Sequence, residues 1–442
     1  RGRRHGFVFR GGPHPTRMGA KALRHFLPGM VVACGAFLAL VIIASNSDVH
    51  EPSAWKMASK ILWTNASTRP PLLLVLAVAG WAWVVQVCNS CGMKIELVLG
   101  GPTQPISATY HAALTLLCIV LCARLAYFVA SEHEGVHWRP WLTCNVGLLS
   151  LVLALGAMPC RAFHATSRFA LLRALYDSVI APCAPVTFWH VIVADYLTSL
   201  AKTFSDLQLT ACITYAIVQR DQSGAAYETT TNLWNEHHGH CSMGYGNALM
   251  LALPFWWRLM QCFKVYSQTG EQKNLWNALK YSTAFPLVYA GYLRKTDPSA
   301  MHDQLFVLAA VTQSSYCFVW DVLMDWGLPY SARRGDGGLC GLRMRTPLVV
   351  SRSKALYLCV CVFNLALRFI WALSIFGSVP GRSWGMFFFE VVEIARRTVW
   401  AVFRVEWEMV HKIYHHDPSS VPLAAAEHDE EGEEMGLLRA ES

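Results

Sequence analysis

The sequence predicts an all-α integral membrane protein that crosses the bilayer about ten times. Of its 442 residues, 54% are hydrophobic and only 15% are charged, whereas soluble domains usually carry about a quarter charged residues. Apolar runs of roughly 20 residues, the length that a helix needs to cross the hydrocarbon core, recur along the chain. The 17 Trp and 21 Phe fit the same class, because aromatic rings gather at membrane interfaces.

The predicted spans fall into two groups of different polarity. The ten segments are 28–45, 71–88, 108–130, 141–158, 187–218, 247–266, 275–293, 303–325, 354–377 and 384–411. The first four carry almost no charge, with Arg124 as the main exception, which suits contact with lipid. Each of the last six carries polar or ionisable residues. Between the groups, residues 161–178 alternate basic and apolar residues at helical spacing, which predicts an amphipathic helix on the membrane surface.

The same segments divide the chain into four predicted regions. They are a basic N-terminal segment 1–27, a four-helix scaffold 28–160, a six-helix core with its preceding amphipathic helix 161–412, and an acidic tail 413–442. The composition of the tail predicts disorder. Its Glu433-x-x-x-Leu437-Leu438 is similar to an acidic dileucine signal that cytoplasmic sorting adaptors bind, although a solubilising tail is the simpler interpretation.

The distribution of basic residues predicts that both termini lie in the cytoplasm. Arg and Lys concentrate in segments such as 1–27, 159–186 and 326–353, which this topology places on one side of the membrane. An opposite loop contains the glycosylation sequon at Asn65. The net charge of +8 follows this pattern. No basic patch with interleaved aromatic residues lies outside the spans, so we expect no nucleic-acid partner.

Ionisable residues inside the last six spans are the candidate functional groups, because a lone charge at the bilayer centre is costly. The cations lie in three spans and are Lys280, Arg368, Arg396 and Arg397. The accompanying acids are Asp195, Asp206, Asp321, Asp325 and Glu393. For the acids, ion pairs that fix helix packing are an equally good explanation. The guanidinium groups exceed what such pairing needs, and their rigid donor forks match tetrahedral oxyanions, which predicts an anion site.

Other kinds of site find little support in the sequence. The segment 237–241 (HHGHC) could bind a metal, but its ligands are sequential and lack a matching partner, so we expect no metal site. Metalloprotease, serine-hydrolase, Walker and dinucleotide motifs are absent, and we expect neither an enzyme nor a cofactor. Most of the 15 Cys residues, Cys212 among them, lie in apolar runs, where Cys packs as a small hydrophobic residue.

Six sequence blocks, in order, resemble the EXS family. They begin at Phe188, Pro254, Asn277, Trp320, Asn364 and Glu393 and extend over residues 188–408. Two examples are N-x-x-K-Y-S-T at 277–283 and W-D-x-x-M-D-W-G-L at 320–328. The family contains the phosphate exporter first known as the xenotropic and polytropic retrovirus receptor, plant phosphate-export proteins, and the yeast ER-retention-defective protein of the Golgi.

The resemblance implies that inorganic phosphate passes through the last six helices. Carried over by motif, the phosphate-contacting positions are Asp195, Lys280, Tyr281, Asp321, Arg368, Arg396 and Arg397. Trp371 is the implied gate, and the supporting acids are Asp206, Asp325 and Glu393. Thr198 stands where many exporters have Asn, which alters the hydrogen bonding expected inside the site.

The resemblance also bears on regulation and location. The 27 residues before the first predicted span are too few for the SPX domain of many relatives, so we expect a member without one. Such a protein is most similar to the Golgi member, and the plasma membrane is the next candidate location. The competing interpretation is a non-transporting receptor that retains Golgi glycosyltransferases, with 326–353 as its docking loop. The sequence leaves open whether the protein forms a homodimer.

Overall fold

The computed structural model describes residues 69–99, 165–222, 238–331, 342–345, 347–372 and 384–416. Their helices are α1 (Arg69–Ser90), α2 (Ile95–Leu99), α3 (Ala165–Val179), α4 (Phe188–Ser199), α5 (Ala201–Gln222), α6 (238–243), α7 (Tyr245–Thr269), α8 (Gln272–Ser282), α9 (Ala284–Thr296), α10 (Ala300–Trp320), α11 (Lys354–Arg368) and α12 (Trp384–His416). A π-helical turn, Asp321–Asp325, continues α10. Two short antiparallel strands, β1 (Pro329–Ser331) and β2 (Leu342–Met344), follow it. The predicted all-α class is confirmed, with this small sheet as an addition.

Several predictions fall on residues that the structure does not describe. They concern the spans 28–45, 108–130 and 141–158, the sequon at Asn65 and the acidic tail. Among the described helices, α1 and the continuous segment Ala300–Asp325 are long and apolar enough to cross a membrane. The other described helices are shorter or more polar. The number of ten spans therefore stays a prediction.

The last helix, α12, is the centre of the hydrophobic core. Its buried Trp400 and Phe403 pack in one cluster with residues of α1, α2, α4 and α11. Helix α1 crosses α12 at Gly80, where a Cβ atom would clash with the side chain of Thr398. Small residues that let backbones approach closely are a common packing device between membrane helices. The first described helix is thereby held against the helix that carries both neighbouring arginines of the predicted site.

Two predicted spans are each divided into two helices, and a third, 354–377, leaves the helix after Arg368. The segment 187–218 divides into α4 and α5 at Leu200, and the segment 275–293 divides into α8 and α9 at Thr283. The prediction of single helices was wrong at both places. Within a membrane, irregular backbone is tolerated where it is buried in protein or lines a cavity. Both breaks therefore indicate positions inside the bundle.

Local hydrogen bonding accompanies each break. Pro286 lies in the first turn of α9 and has no N–H for the carbonyl group four residues earlier, so α8 cannot continue through it. Hydroxyl groups also bond back to the chain: Thr283 donates to the Lys280 carbonyl (2.6 Å), and Thr198 donates to the Asp195 carbonyl (2.7 Å). Such back-bonding bends helices. Each of these hydroxyl groups lies beside a predicted site residue.

The segment 326–353, predicted as a cytoplasmic loop, is in part built into the core. Arg345 donates to Glu406 at 2.7 Å, and Tyr357 donates to the same carboxylate at 2.6 Å. The backbone N–H groups of 349–350 donate to it as well. The Glu406 side chain is completely buried. These bonds tie the segment to α12, so its described parts are not a free loop.

The segment 161–178, predicted as an amphipathic helix, is helical from residue 165 onward in α3, and residues 161–164 lie outside the described residues. Its exposed large apolar side chains are Phe169, Leu171, Leu172, Tyr176 and Val179. The exposed Arg173 forms an ion pair at 2.9 Å with the buried Asp177. The position of this helix on a membrane surface stays a prediction.

A disulfide bond corrects the interpretation of Cys212. It joins Cys212 on α5 to Cys241 on α6, with the two Cα atoms 5.8 Å apart. Cys241 is the last residue of the histidine-rich segment 237–241. Within the described residues no group of His, Cys, Asp and Glu side chains could hold a metal ion.

We expect Glu406→Gln to lower the stability of the purified protein by about 3 kcal/mol or more, because it leaves the buried Arg345 without its counter-charge. The apparent melting temperature in detergent should fall by several degrees. The matched control is Glu408→Gln, which removes a partly exposed pair with Arg404 and should change stability by about 0.5 kcal/mol or less. Equal melting temperatures for the two variants would contradict the assignment of Glu406 as the core anchor.

Candidate anion site

The centre of the site is a group of ion pairs between the π-helical turn, α11 and α12. Arg368 lies 2.7 Å from the Oδ2 atom of Asp321, and Arg396 lies 3.6 Å from the same oxygen. Arg396 also donates to both oxygens of Glu393, at 2.6 and 2.8 Å. All four residues were predicted from the sequence, and the structure brings them together. Each of these two arginines has a carboxylate partner.

Arg397 has a different environment. Its Nε atom donates to Ser199 (2.8 Å) and its Nη2 atom donates to Thr198 (3.2 Å), the last residues of α4. Its guanidinium carbon lies 4.5 Å from the centroid of a Trp400 ring. Among the described residues, no carboxylate oxygen lies within the 4.0 Å of an ion pair. Arg397 is buried, its direct partners are neutral groups, and Ser199 links it to the carboxylate of Glu393.

Asp195 belongs to a separate buried network. It accepts hydrogen bonds from Arg258 Nε (2.9 Å) and from the Tyr281 hydroxyl group (2.5 Å). Arg258 also donates to Gln261 (2.6 Å), which in turn donates to Ser178 (3.2 Å). The network joins α3, α4, α7 and α8. Two predicted phosphate-contacting residues, Asp195 and Tyr281, thus bind Arg258, which the sequence-based assignment omitted.

The central group of ion pairs around Asp321 is one layer of charge along α12. A second layer lies farther toward the C-terminal end of this helix. Asp325 pairs with Lys280 (4.0 Å) and with Arg404 (3.6 Å), and it accepts a hydrogen bond from the indole of Trp400 (3.2 Å). The ammonium group of Lys280 also lies 4.3 Å from the ring centroid of Tyr281. Asp325 therefore acts as the shared counter-charge of two cations, one of which the sequence analysis predicted.

A third layer lies at the opposite end of α12. Asp206 lies 2.9 Å from Arg69 and 2.5 Å from Lys202, and Arg69 lies 3.7 Å from Glu390. Asp206 was predicted as a supporting acid. Arg69 was outside the predicted spans, and neither Lys202 nor Glu390 was assigned a role. The three layers follow α12 from one end to the other.

Trp371, the implied gate, lies just beyond the end of α11. Its indole nitrogen donates to Ser314 (3.0 Å), whose hydroxyl group donates to the Arg368 carbonyl (3.0 Å). Its ring meets Phe306 edge to face, with the centroids 6.5 Å apart. These contacts place it next to the backbone of a site arginine. Its role as a gate stays a prediction.

Neutral side chains complete the central group, and the sequence analysis missed them. Asn364 donates to Asp321 (2.9 Å) and accepts from Arg396 (3.2 Å). Ser199 donates to Glu393 (2.7 Å) while it accepts from Arg397. An uncharged residue in an apolar segment gives a much weaker signal than a charge, although both stand inside the EXS-like blocks.

The comparisons with known proteins identify the family. A model described as "EXS family" matches residues 66–410, which includes α1. The chain is 31% identical over 408 residues to "Xenotropic and polytropic retrovirus receptor 1 homolog" from Danio rerio, covering 85% of this chain and 54% of the relative. It is 26% identical over 413 residues to "SPX and EXS domain-containing protein 1" from Dictyostelium discoideum, covering 87% and 40%. It is 30% identical over 269 residues to "Solute carrier family 53 member 1" from Homo sapiens, covering 57% and 36%. The chain thus spans about half, or less, of the length of these relatives.

We expect Asp195→Asn and Arg258→Gln each to be strongly destabilising, by about 3 kcal/mol or more, because each leaves the other charge buried without its partner. The double variant should be more stable than the sum of the single effects predicts, since it removes both charges. Thermal unfolding of the four proteins in detergent measures this coupling.

The control for this cycle is the exposed pair of Glu271 and Lys273. Glu271→Gln should leave the melting temperature unchanged, because water screens that pair. Additive effects at Asp195 and Arg258 would contradict the pairing.

Proposed function

The chain belongs to the EXS family and is an all-α multi-pass membrane protein, and we propose that it transports inorganic phosphate through the core that α12 organises. The observation that carries this proposal is the buried Arg397. Its partners among the described residues are two hydroxyl groups and an aromatic ring. A buried cation with no acid in direct contact is costly. An anion that arrives at Arg397 would supply a counter-charge in direct contact.

The surroundings of Arg397 favour a tetrahedral oxyanion. Arg368 and Arg396 converge on one oxygen of Asp321, and Arg396 directly precedes Arg397 on α12. Planar guanidinium groups donate paired hydrogen bonds that match phosphate oxygens. The protons of the Thr198 and Ser199 hydroxyl groups are donated to the Asp195 carbonyl and to Glu393, but each hydroxyl oxygen has a further lone pair that can accept from a protonated anion oxygen. This mixture suits hydrogen phosphate better than a halide, which has no proton to donate.

The choice of phosphate among such anions rests on the family. The EXS-like blocks contain Arg368, Arg396 and Arg397, and the family includes phosphate exporters. The site geometry by itself supports an oxyanion. The resemblance supplies the specific substrate.

The acids of the site have a second effect in this proposal. Asp321 and Glu393 hold Arg368 and Arg396 by hydrogen bonds of 2.6 to 3.2 Å. They keep the arginines in place when no anion is bound, and they compete with the anion for the same donors. Conduction requires that an ion binds well enough to enter and weakly enough to leave. Paired arginines meet both requirements.

We place the protein in the Golgi membrane first and in the plasma membrane second, with both termini in the cytoplasm. A divalent anion that leaves a negative-inside compartment gains roughly 4–5 kcal/mol per 100 mV, from about 2.3 kcal/mol per charge. Efflux across the plasma membrane would need no coupled ion. Across a membrane with a small potential, the phosphate gradient would set the direction.

The receptor alternative requires an exposed docking loop at 326–353. Among the described residues of this segment, Arg345 is buried against Glu406, whereas Arg352 and Ser353 are exposed. Deleting the segment would also remove this pair and disturb the core. Loss of function in such a deletion would not identify a docking surface.

We expect Arg397→Gln to reduce phosphate flux in proteoliposomes by roughly tenfold to a hundredfold, the effect of losing charge-assisted hydrogen bonds to the anion. The assay measures release of radiolabelled phosphate. Gln is smaller than Arg, but it keeps an amide donor for the hydroxyl groups and leaves no directly paired acid behind, so the thermal stability should stay close to that of the original protein.

The matched control is Arg294→Gln, which removes an arginine from an exposed pair with Asp303. It should leave the flux unchanged. Unchanged flux in Arg397→Gln would rule out the proposed central site. Absence of phosphate flux in the unaltered protein would rule out the proposed function.

A further inference from the structure

The third layer of charge is a cluster near the start of α12 and consists of Arg69, Lys202, Asp206 and Glu390. Glu390 precedes Arg397 by seven residues, so about 10 Å along the helix axis separates the cluster from the central site. The cluster includes the first turns of α5, directly after the break that separates α5 from α4. It therefore continues the line of charges along the bundle. In the predicted topology it lies toward the non-cytoplasmic end.

The two cations of this cluster share one firmly held carboxylate. Lys202 donates to Asp206 Oδ1 at 2.5 Å, and Arg69 Nε lies 2.9 Å from Asp206 Oδ2. Despite this distance, Arg69 Nε makes no hydrogen bond with a described residue. The Arg69 side chain is only 9% exposed. Arg69 and Lys202 carry two positive charges, and Asp206 carries one negative charge. Asp206 therefore neutralises only one of the two cations.

Glu390 is the remaining acid, and it is held far less firmly. Its side chain is 8% exposed, and neither of its oxygens accepts a hydrogen bond from a described residue. Its cationic neighbour is Arg69, at 3.7 Å. By contrast, Glu393, one turn farther along α12, accepts hydrogen bonds from Arg396 and Ser199. A buried carboxylate without hydrogen-bond donors is costly. Little free energy is therefore lost when the Glu390 carboxylate moves away from Arg69.

We propose that Arg69 and Lys202 form a second site for the transported oxyanion, and that the Glu390 carboxylate occupies this site as a gate while no anion is present. A tetrahedral anion that arrives from the central site has more acceptor oxygens than a carboxylate and displaces Glu390 from Arg69. Asp206 stays in place, because two cations hold it. The inference rests on the proposed phosphate transport and adds a second site and its gate.

The deciding variant is Glu390→Gln, which removes the charge and keeps the size of the side chain. At low phosphate concentration its flux in proteoliposomes should rise roughly three- to tenfold, the range expected when a partly buried ionic competitor is removed. Added phosphate should also raise the apparent melting temperature of the variant in detergent more than that of the unaltered protein, since binding to the folded state stabilises it.

Two further variants test the mechanism. The double variant Arg69→Gln, Glu390→Gln should lose the gain, because the cation that the gate covers is gone. Asp303→Asn, which neutralises an exposed acid paired with Arg294, should behave like the unaltered protein. If Glu390→Gln folds normally but shows neither more flux nor a larger phosphate-dependent shift, Glu390 is only a packing partner of Arg69 and the gate is refuted.

The outcomes separate this inference from the proposed function. Flux in the unaltered protein and its loss in Arg397→Gln decide whether the protein transports phosphate. The phosphate-dependent shift of Glu390→Gln decides the second site without any transport. Transport with an unchanged shift and flux in Glu390→Gln would leave the central site intact and overturn the gate alone.

Discussion

A charge that leaves water must meet a counter-charge or a dense set of hydrogen-bond partners, and this constraint arranges the described core. Arg258 on α7 meets Asp195 on α4, and Arg368 on α11 meets Asp321 in the π-helical turn. Because each pair joins two different helices, the pairs determine how those helices lie against one another. Arg397 is the exception among the buried arginines that the structure describes. Arg397, which has no acid as a direct partner, is therefore held in place by helices that the other ion pairs position.

The irregular backbone follows the same constraint. The chain breaks at Leu200 and Thr283, changes to a π-helical turn at Asp321, and ends α11 at Arg368. Discontinuous helices near the middle of a membrane commonly surround substrate sites, and π-helical turns are frequent at functional sites. Pro286 could have predicted the second break, because a proline in a helix interior ends the helix before it. No Pro or Gly adjoins Leu200, so local sequence rules do not reveal the first.

The sequence identifies which charged residues are candidates for a site, but it does not identify which of them contact one another. A charge inside an apolar segment is a strong signal, so Arg368 and Asp321 could be predicted as site residues before their 2.7 Å contact was known. Arg258 carries the same signal, but its partner depends on how α7 lies against α4, which periodicity within one helix cannot show. Arg345 stood among several arginines of a predicted loop, and only the tertiary fold distinguishes the one that enters the core to meet Glu406.

The order of the charge layers along α12 relates these ion pairs to the proposed transport. Arg404, Arg397 and Arg69 mark three levels, and at each level an aspartate is shared by two cations: Asp325, Asp321 and Asp206. A site whose cations are already paired binds an anion weakly, because the anion must replace contacts that exist. Only the middle level adds an arginine, Arg397, that has no acid within ion-pair distance among the described residues, so in the proposed transport we expect this level to bind the anion most strongly. The anion would then meet weaker binding on each side of one stronger site, which would let it enter and still leave.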